Sequence, residues 1–121
     1  MNFLFDNNVP IYIQLVEQLK MYIISGKIQL GERLPSVRDL ALQTKVNPNT
    51  MQKALVELEI LKLIYTERTN GKFVTNDQKI IDKYKKEYAL ELVNSYFSGM
   101  ENIGFSEREA IEYLKKLGGD K

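Results

Sequence analysis

The sequence predicts an α+β fold, mainly α, in which three helices lead into a two-stranded hairpin and two further helices follow. Three observations predict it. Apolar residues recur every three or four positions in separate stretches, as on one face of a helix. Two β-prone runs flank Asn70-Gly71. Proline, serine, asparagine and glycine stand where helices must begin and end.

The first helix is expected from about Ile11 to Ser25, with an apolar stripe of Leu15, Leu19 and Tyr22 and with Val16 and Ile23 beside it. Pro10 stands just before or at its first turn, where a missing N–H costs nothing. Gly26 suits the left-handed conformation that ends a helix, and Gly31 marks a turn. A second helix begins at Ser36. Pro35 disfavours a helical Leu34, Ser36 is a good cap, and Asp39 follows three residues on. Val37, Leu40 and Ala41 form its buried face. Two turns do not persist alone, so this helix needs neighbours.

The third helix starts with Asn47 as N-cap and Pro48 in the first helical position. Met51, Ala54, Leu55, Leu58 and Leu61 make one continuous apolar face. Only about three or four residues, around Thr44 to Val46, separate it from the second helix, and a turn that short forces a sharp crossing. This is a helix-turn-helix unit. Leu63-Ile64-Tyr65-Thr66 and Lys72-Phe73-Val74 then read as strands, and Asn70-Gly71 predicts a type I′ hairpin turn with positive φ at both residues. Three helices followed by a hairpin make a winged helix-turn-helix; the competing reading is a generic α+β domain.

From about Asp77 the pattern changes. Ile81, Tyr84, Tyr88, Leu92 and Tyr96, broadened by Ala89, Val93, Phe97 and Met100, predict a long helix to about Glu101. Gly104 breaks it. Ser106-Glu107-Arg108-Glu109 is a capping box, and Ala110, Ile111, Leu114 and Leu117 predict a last helix ended by Gly118-Gly119. The expected division is a winged helix-turn-helix domain over residues 1–75 and a helical C-terminal region over 76–121.

Composition narrows the chemistry. The chain has 121 residues, 44% hydrophobic and 27% charged, enough for one compact core or a small domain with an appendage. It contains neither Cys nor His, so the usual zinc sites and the commonest general acid–base are missing. No Gly-rich phosphate loop or nucleophile elbow is present. An enzyme is not expected, and no metal or cofactor is called for. No apolar run approaches the roughly 20 residues that span a bilayer, and residues 1–9 do not resemble a signal peptide. A cytoplasmic protein without disulfides is expected. Net charge is only +1, with nine Lys/Arg and seven Asp/Glu in residues 1–75 against eight and nine in the remainder. Any DNA contact therefore comes from a local cluster and not from a broad basic field.

That cluster is found on the third helix. At about 100° per residue, Met51, Leu55 and Leu58 define the buried side, and Asn49 and Lys53 point nearly opposite, flanked by Gln52 and Thr50. All four lie in the first turn and a half, the part of a recognition helix that enters the major groove. Asn and Gln pair with adenine, and Lys reaches guanine or phosphate. Asn47 joins this set at the cap. The plain alternative is a solvated helix face.

The residues carry a resemblance. Pro10-Ile11-Tyr12-Ile13-Gln14, Ser25-Gly26 and Gly31-Glu32-Arg33-Leu34-Pro35-Ser36-Val37-Arg38-Asp39-Leu40-Ala41 resemble the GntR family of bacterial regulators. So do Val46-Asn47-Pro48-Asn49-Thr50, Gln52-Lys53-Ala54, Leu58-Glu59, and the wing residues Leu63 to Thr66, Arg68 and Gly71 to Val74. The match covers roughly residues 10–75, and the short two-helix tail looks like the YtrA subfamily. Leu30, Pro48, Lys62 and Thr69 depart from the general pattern; Lys62 stands where Gly usually ends the recognition helix, which implies positive φ there.

The resemblance implies a repressor-type regulator binding double-stranded DNA at a palindromic operator as a homodimer, often beside ABC-transporter genes. It makes Arg38 a DNA-contacting arginine and gives Ser36 a phosphate alongside its cap. On the wing, Asn70, Gly71 and Lys72 are expected at the minor groove or backbone, although the turn alone explains Asn70-Gly71. Arg33 is a further candidate for a phosphate contact, with a solvated loop arginine as the plainer reading, and Tyr12 and Gln14 read as residues orienting the first helix against the hairpin. Ile81, Tyr84, Tyr88, Leu92 and Tyr96 are the expected dimer contacts, because about 45 residues cannot build their own core; folding back onto the same chain is the alternative. Two other functions fit the pattern less well. A winged protein-interaction module would show an apolar third-helix face, and a small-ligand sensor would have a pocket between the tail helices.

Overall fold

The computed structural model describes residues 2–118. Helix α1 (Ile11–Ile24), helix α2 (Val37–Thr44) and helix α3 (Pro48–Ile60) precede strands β1 (Ile64–Glu67) and β2 (Gly71–Val74), followed by helix α4 (Gln78–Asn102) and helix α5 (Glu107–Gly118). The fold is the mainly helical winged arrangement that the sequence predicts. Gly119, expected to end the last helix, lies outside the described residues. The chain forms two compact units, Met1–Tyr84 and Lys85–Lys121.

In the first unit the helix ends follow local chemistry. Pro10 takes the N-cap position of α1, Ser36 Oγ accepts the Asp39 N–H at 3.1 Å, and Asn47 Oδ1 accepts the Asn49 N–H at 2.8 Å. Each side-chain cap satisfies a donor that the helix itself leaves orphaned. Lys45, just past α2, and Lys62, just past α3, both sit at positive φ, 59° and 64°. The Lys62 strain is the one that its position predicts; Lys45 carries no sequence signal of its own. Either costs on the order of 1 kcal/mol against a glycine, which the packing on both sides overrides. Leu15, Met51, Leu55, Leu58, Leu63 and Val74 are completely buried and join α1, α3 and the hairpin in one core.

The hairpin departs from the expected turn. Its register pairs Glu67 with Gly71, so three residues, Arg68 to Asn70, form the loop. The Asn70 N–H returns to the Glu67 carbonyl at 3.3 Å, and Gly71 alone has positive φ, 96°. A three-residue loop closed by a left-handed glycine is the next commonest hairpin to the two-residue type I′ form. The Asn-Gly signal was sound about the hairpin and wrong by one residue about its turn. Residues 32–34 add a short third rung: Arg33 bridges Phe73, and Leu34 N–H donates to the Lys72 carbonyl at 2.8 Å.

The segment before α1 is clipped along that helix. Tyr22 Oη accepts the Asn2 N–H at 2.8 Å and donates to its carbonyl at 3.0 Å. Gln18 accepts the Leu4 N–H at 3.2 Å and donates to its carbonyl at 2.7 Å. Gln14 does the same for Asp6, 2.6 Å each way, and also donates to Val9 at 2.7 Å. Four residues of helix advance about 6 Å, close to the roughly 6.7 Å that two extended residues advance. Gln14, Gln18 and Tyr22 thereby stand in for a neighbouring strand. This corrects the expected role of Gln14, which serves the N-terminal segment and not the hairpin. Tyr12, by contrast, does pack on the core.

The first unit extends past the boundary expected at residue 75. Ile81 is 4% exposed within its core, and the Tyr84 hydroxyl donates to the Leu61 carbonyl at 3.0 Å. In the second unit, Gly104 turns the chain at φ 98°. The capping box forms as written, with Ser106 N–H on Glu109 at 3.0 Å and Glu109 N–H on Ser106 Oγ at 3.1 Å. Tyr96 Oη donates to the Ala110 carbonyl at 2.7 Å, and Ala110 is wholly buried.

Removing one rung of the N-terminal clip, Gln18→Ala, is expected to abolish hydrogen-exchange protection at Leu4 while core amides keep theirs. The two exposed hydrogen bonds lost are worth about 1–3 kcal/mol of local opening free energy, and global stability is expected to stay near wild type. Unchanged protection at Leu4 would show that Gln18 does not hold the segment, leaving Gln14, Tyr22 and the packing of Phe3 and Phe5 to do so.

Candidate nucleic-acid interface

Helix α3 is divided lengthwise. Met51, Ala54, Leu55 and Leu58 are wholly buried, while Asn49, Gln52 and Lys53 are exposed and Thr50 is half-buried. Among the described residues, no hydrogen bond or ion pair within the chain engages the side chains of Asn49, Gln52 or Lys53. They stand at the amino end of a helix whose cap is already satisfied by Asn47. The Asn47 oxygen is committed to that cap, which leaves its exposed amide nitrogen as the end able to reach a partner. Ser36 is likewise a cap with a hydroxyl proton to spare. Arg38, in the first turn of α2, is exposed and unpaired among the described residues.

The wing differs more from expectation. Lys72 does not project freely. Its Nζ donates to Glu59 Oε1 and to Thr66 Oγ1, each at 2.9 Å, and its side chain is only 17% exposed. The Thr66 hydroxyl in turn donates to the same Glu59 oxygen. Lys72 is one corner of a closed triad that ties both strands to α3. The Thr66 hydroxyl, and then the Lys72 ammonium, hold the Glu59 carboxyl below its ordinary value, against partial burial that raises it. Asn70 donates to Glu67 across the tip at 3.0 Å. Gly71 is there for its positive φ: a side chain would meet Arg33 only at ordinary contact distance, 3.5 Å.

Three residues gain a placement here that the sequence alone does not give them. Arg33 lies along β2, beside Gly71, because of the unpredicted third rung. Arg68 is exposed in the tip loop, a position that the one-residue shift of the turn creates. Glu59 looked like one more polar residue on a helix; only its distance from Thr66 and Lys72 reveals a role.

The tail residues also sort themselves. Ile81 lies in the first unit's core, and the Tyr84 hydroxyl donates to the Leu61 carbonyl. Tyr96 holds α5 within its own unit. Tyr88 is half-buried, and Leu92 is 70% exposed. An open groove of about 820 Å³ follows α5, lined by Phe105, Tyr113 and charged α5 side chains. It is formed from residues 105–116 alone and is not a pocket between the tail helices. No helix among the described residues is long and apolar enough to cross a membrane.

Residues 11–74 match the model of the bacterial regulatory proteins of the gntR family. The chain belongs to the GntR family. It is a transcriptional regulator with a DNA-binding domain, and the family is one of regulators and not of enzymes. A GntR relative from Bacillus subtilis, the HTH-type transcriptional repressor YtrA, is 29% identical over 94% of this chain and 88% of its own length. The solved structure of a GntR family transcriptional regulator from Listeria monocytogenes has a TM-score of 0.82 and 38% identity, covering 93% of this chain and 98% of that one. The AraR DNA-binding domain, solved in complex with operator ORX1, superimposes with a TM-score of 0.56 at 29% identity over 62% of this chain and 96% of that domain.

The wing triad of this GntR domain makes a pH prediction. A glutamate whose folded-state pKa is lowered adds stability above its unfolded value, and that stability is lost as pH falls through the folded value. Glu59→Gln is therefore expected to destabilise the protein at neutral pH, and the gap from wild type should close in acid, below the ordinary glutamate range. Chemical denaturation at a series of pH values measures it. A gap independent of pH would place the loss in packing and not in charge.

Proposed function

We propose that this protein is a repressor that binds a palindromic operator as a homodimer, in the cytoplasm, reading bases with Asn49, Thr50, Gln52 and Lys53. The observation that carries the reading is the bare polar face at the amino end of α3, on a helix whose other side is completely buried. A rigid helix with unspent donors and acceptors fits the major groove, where Asn and Gln pair with adenine and Lys with guanine or phosphate. Ser36, Arg38 and Asn47 lie at the amino ends of α2 and α3, suited to phosphates. Asn70 and Gly71 carry the wing contact, joined by Arg68 and Arg33. The operator complex of the AraR domain supports DNA as the partner, and the name of the YtrA relative supports repression. Control of ABC-transporter genes is the matching proposal for the targets, resting on the YtrA-like tail.

The second unit supplies the dimer. It buries Ala110 completely, yet Leu92 of α4 and Leu114 and Leu117 of α5 remain 70%, 51% and 64% exposed. Two helices with that much apolar surface in water are stabilised by covering it with a second copy. A two-fold dimer doubles the base contacts and explains a palindrome. Val56 and Ile60 expose apolar surface on the later turns of α3, but its amino end, which would enter the groove, is polar through Asn49, Gln52 and Lys53, and this favours DNA over a protein partner. The α5 groove, formed by α5 and Phe105 alone, does not favour a ligand sensor.

Two variants test this. Asn49→Ala should cost about 1–3 kcal/mol of discrimination between the preferred duplex and a single-base variant, read by fluorescence anisotropy, with the circular dichroism spectrum unchanged. Equal discrimination would remove Asn49 from base reading. Leu92→Asp places a charge on a surface that is already exposed in the single chain, so folding should be kept. Sedimentation should then show a monomer with operator affinity at least tenfold weaker, since one half-site is lost; about 1.4 kcal/mol corresponds to that factor. A persistent dimer would move the interface elsewhere.

A further inference from the structure

The Glu59–Thr66–Lys72 triad joins three elements. Glu59 comes from the last turn of α3, Thr66 from β1 and Lys72 from β2. Every pair among the three is hydrogen-bonded, through Thr66 to Glu59, Lys72 to Glu59 and Lys72 to Thr66. Lys72 is the wing cation that the sequence sends to the DNA backbone. Two of its three N–H donors are taken by Glu59 and Thr66, so to give its full charge to a phosphate its ammonium has to draw away from Glu59. That move uncovers the Glu59 carboxylate, which then faces the duplex without its counter-charge. The exchange gives one attraction and adds one repulsion.

We propose that Glu59 is a positioning residue for DNA binding: it withholds Lys72 from the phosphates and uses it to lock the wing at a fixed angle to the recognition helix. This rests on the DNA-binding reading above and deepens it. The wing then meets duplex DNA with its tip residues, Arg68 and Asn70, and not with its lysine. Lys72 releases no counterion on binding, so it contributes to affinity through geometry and not through charge.

Salt dependence separates those two contributions, because each neutralised phosphate adds about −0.9 to the slope of log K against log salt concentration. The full-length protein is titrated with its preferred duplex in KCl as wild type, Lys72→Met, Glu59→Gln and the double variant. Lys72→Met is expected to weaken binding severalfold at every salt concentration with the wild-type slope. Glu59→Gln frees the lysine, so its slope steepens by about 0.9, an extra loss of roughly 3.5-fold between about 50 and 200 mM. The double variant should return to the wild-type slope, which controls for the lost carboxylate. A Lys72→Met slope shallower by about 0.9, or a Glu59→Gln slope equal to wild type, overturns the proposal while leaving DNA binding intact. Wild-type protein that prefers no duplex overturns the DNA-binding reading and this proposal together. In the free protein the Glu59 carboxyl should titrate below the ordinary range and move part of the way back up in Lys72→Met, with the Thr66 hydrogen bond still lowering it; no upward move overturns the ion pair on which the proposal stands.

Discussion

Met51, Leu55 and Leu58 are wholly buried on one side of α3, and the rest of the first unit follows from having to bury them there. α1 supplies the surface that covers them, with Leu15 and Leu19, and the hairpin supplies Leu63 and Val74. Burying a leucine contributes roughly 1.5–3 kcal/mol, so rotating α3 about its axis is far costlier than any exposed hydrogen bond. Its opposite side is therefore held outward without a partner in the chain. A fixed bare face is what base reading requires, since a side chain that must first be freed or ordered loses affinity. The caps at Ser36 and Asn47, the strained Lys45 and Lys62 and the N-terminal clip all act on this one element or on what covers it.

The wing extends the same logic. A two-stranded hairpin is marginal by itself, and this one is braced twice. The stacked pair Tyr65 and Phe73, with ring centres 5.6 Å apart, joins the strands to each other. Glu59 then joins both strands to α3. The buried Leu63, Ile64 and Val74 hold the hairpin on the core, and the triad adds a polar brace between the wing and α3.

Much of the fold was legible because its signals are local. Pro48 after Asn47, Ser106 before Glu109, and the apolar rows of α1 and α3 each say where an element lies without reference to anything distant. The bare face of α3 was legible for the same reason, since helical periodicity alone separates Asn49 and Lys53 from Met51 and Leu55. What escaped were pairings between residues far apart in the chain. The role of Gln14 is not legible because nothing in the sequence marks residues 2–6 as a segment laid along α1. Ile81 and Tyr84 belong to the same apolar row as Tyr88 and Leu92, and periodicity has no means of showing that the first two face one unit's core. Lys72 looked free because its acceptor, Glu59, lies on a different element. The turn was misplaced by one residue because Asn-Gly fits both hairpin forms, and the choice between them is made by strand register.

The central claim is that a bare helix face, presented twice by a two-fold dimer, reads a defined DNA sequence. The most direct test is to select duplexes from a random pool with the purified protein and sequence those enriched. The account predicts one motif of two inverted half-sites, with centres about one helical turn, 34–36 Å, or a multiple of that apart. No enrichment, or weak binding to every duplex that vanishes with modest salt, would contradict it.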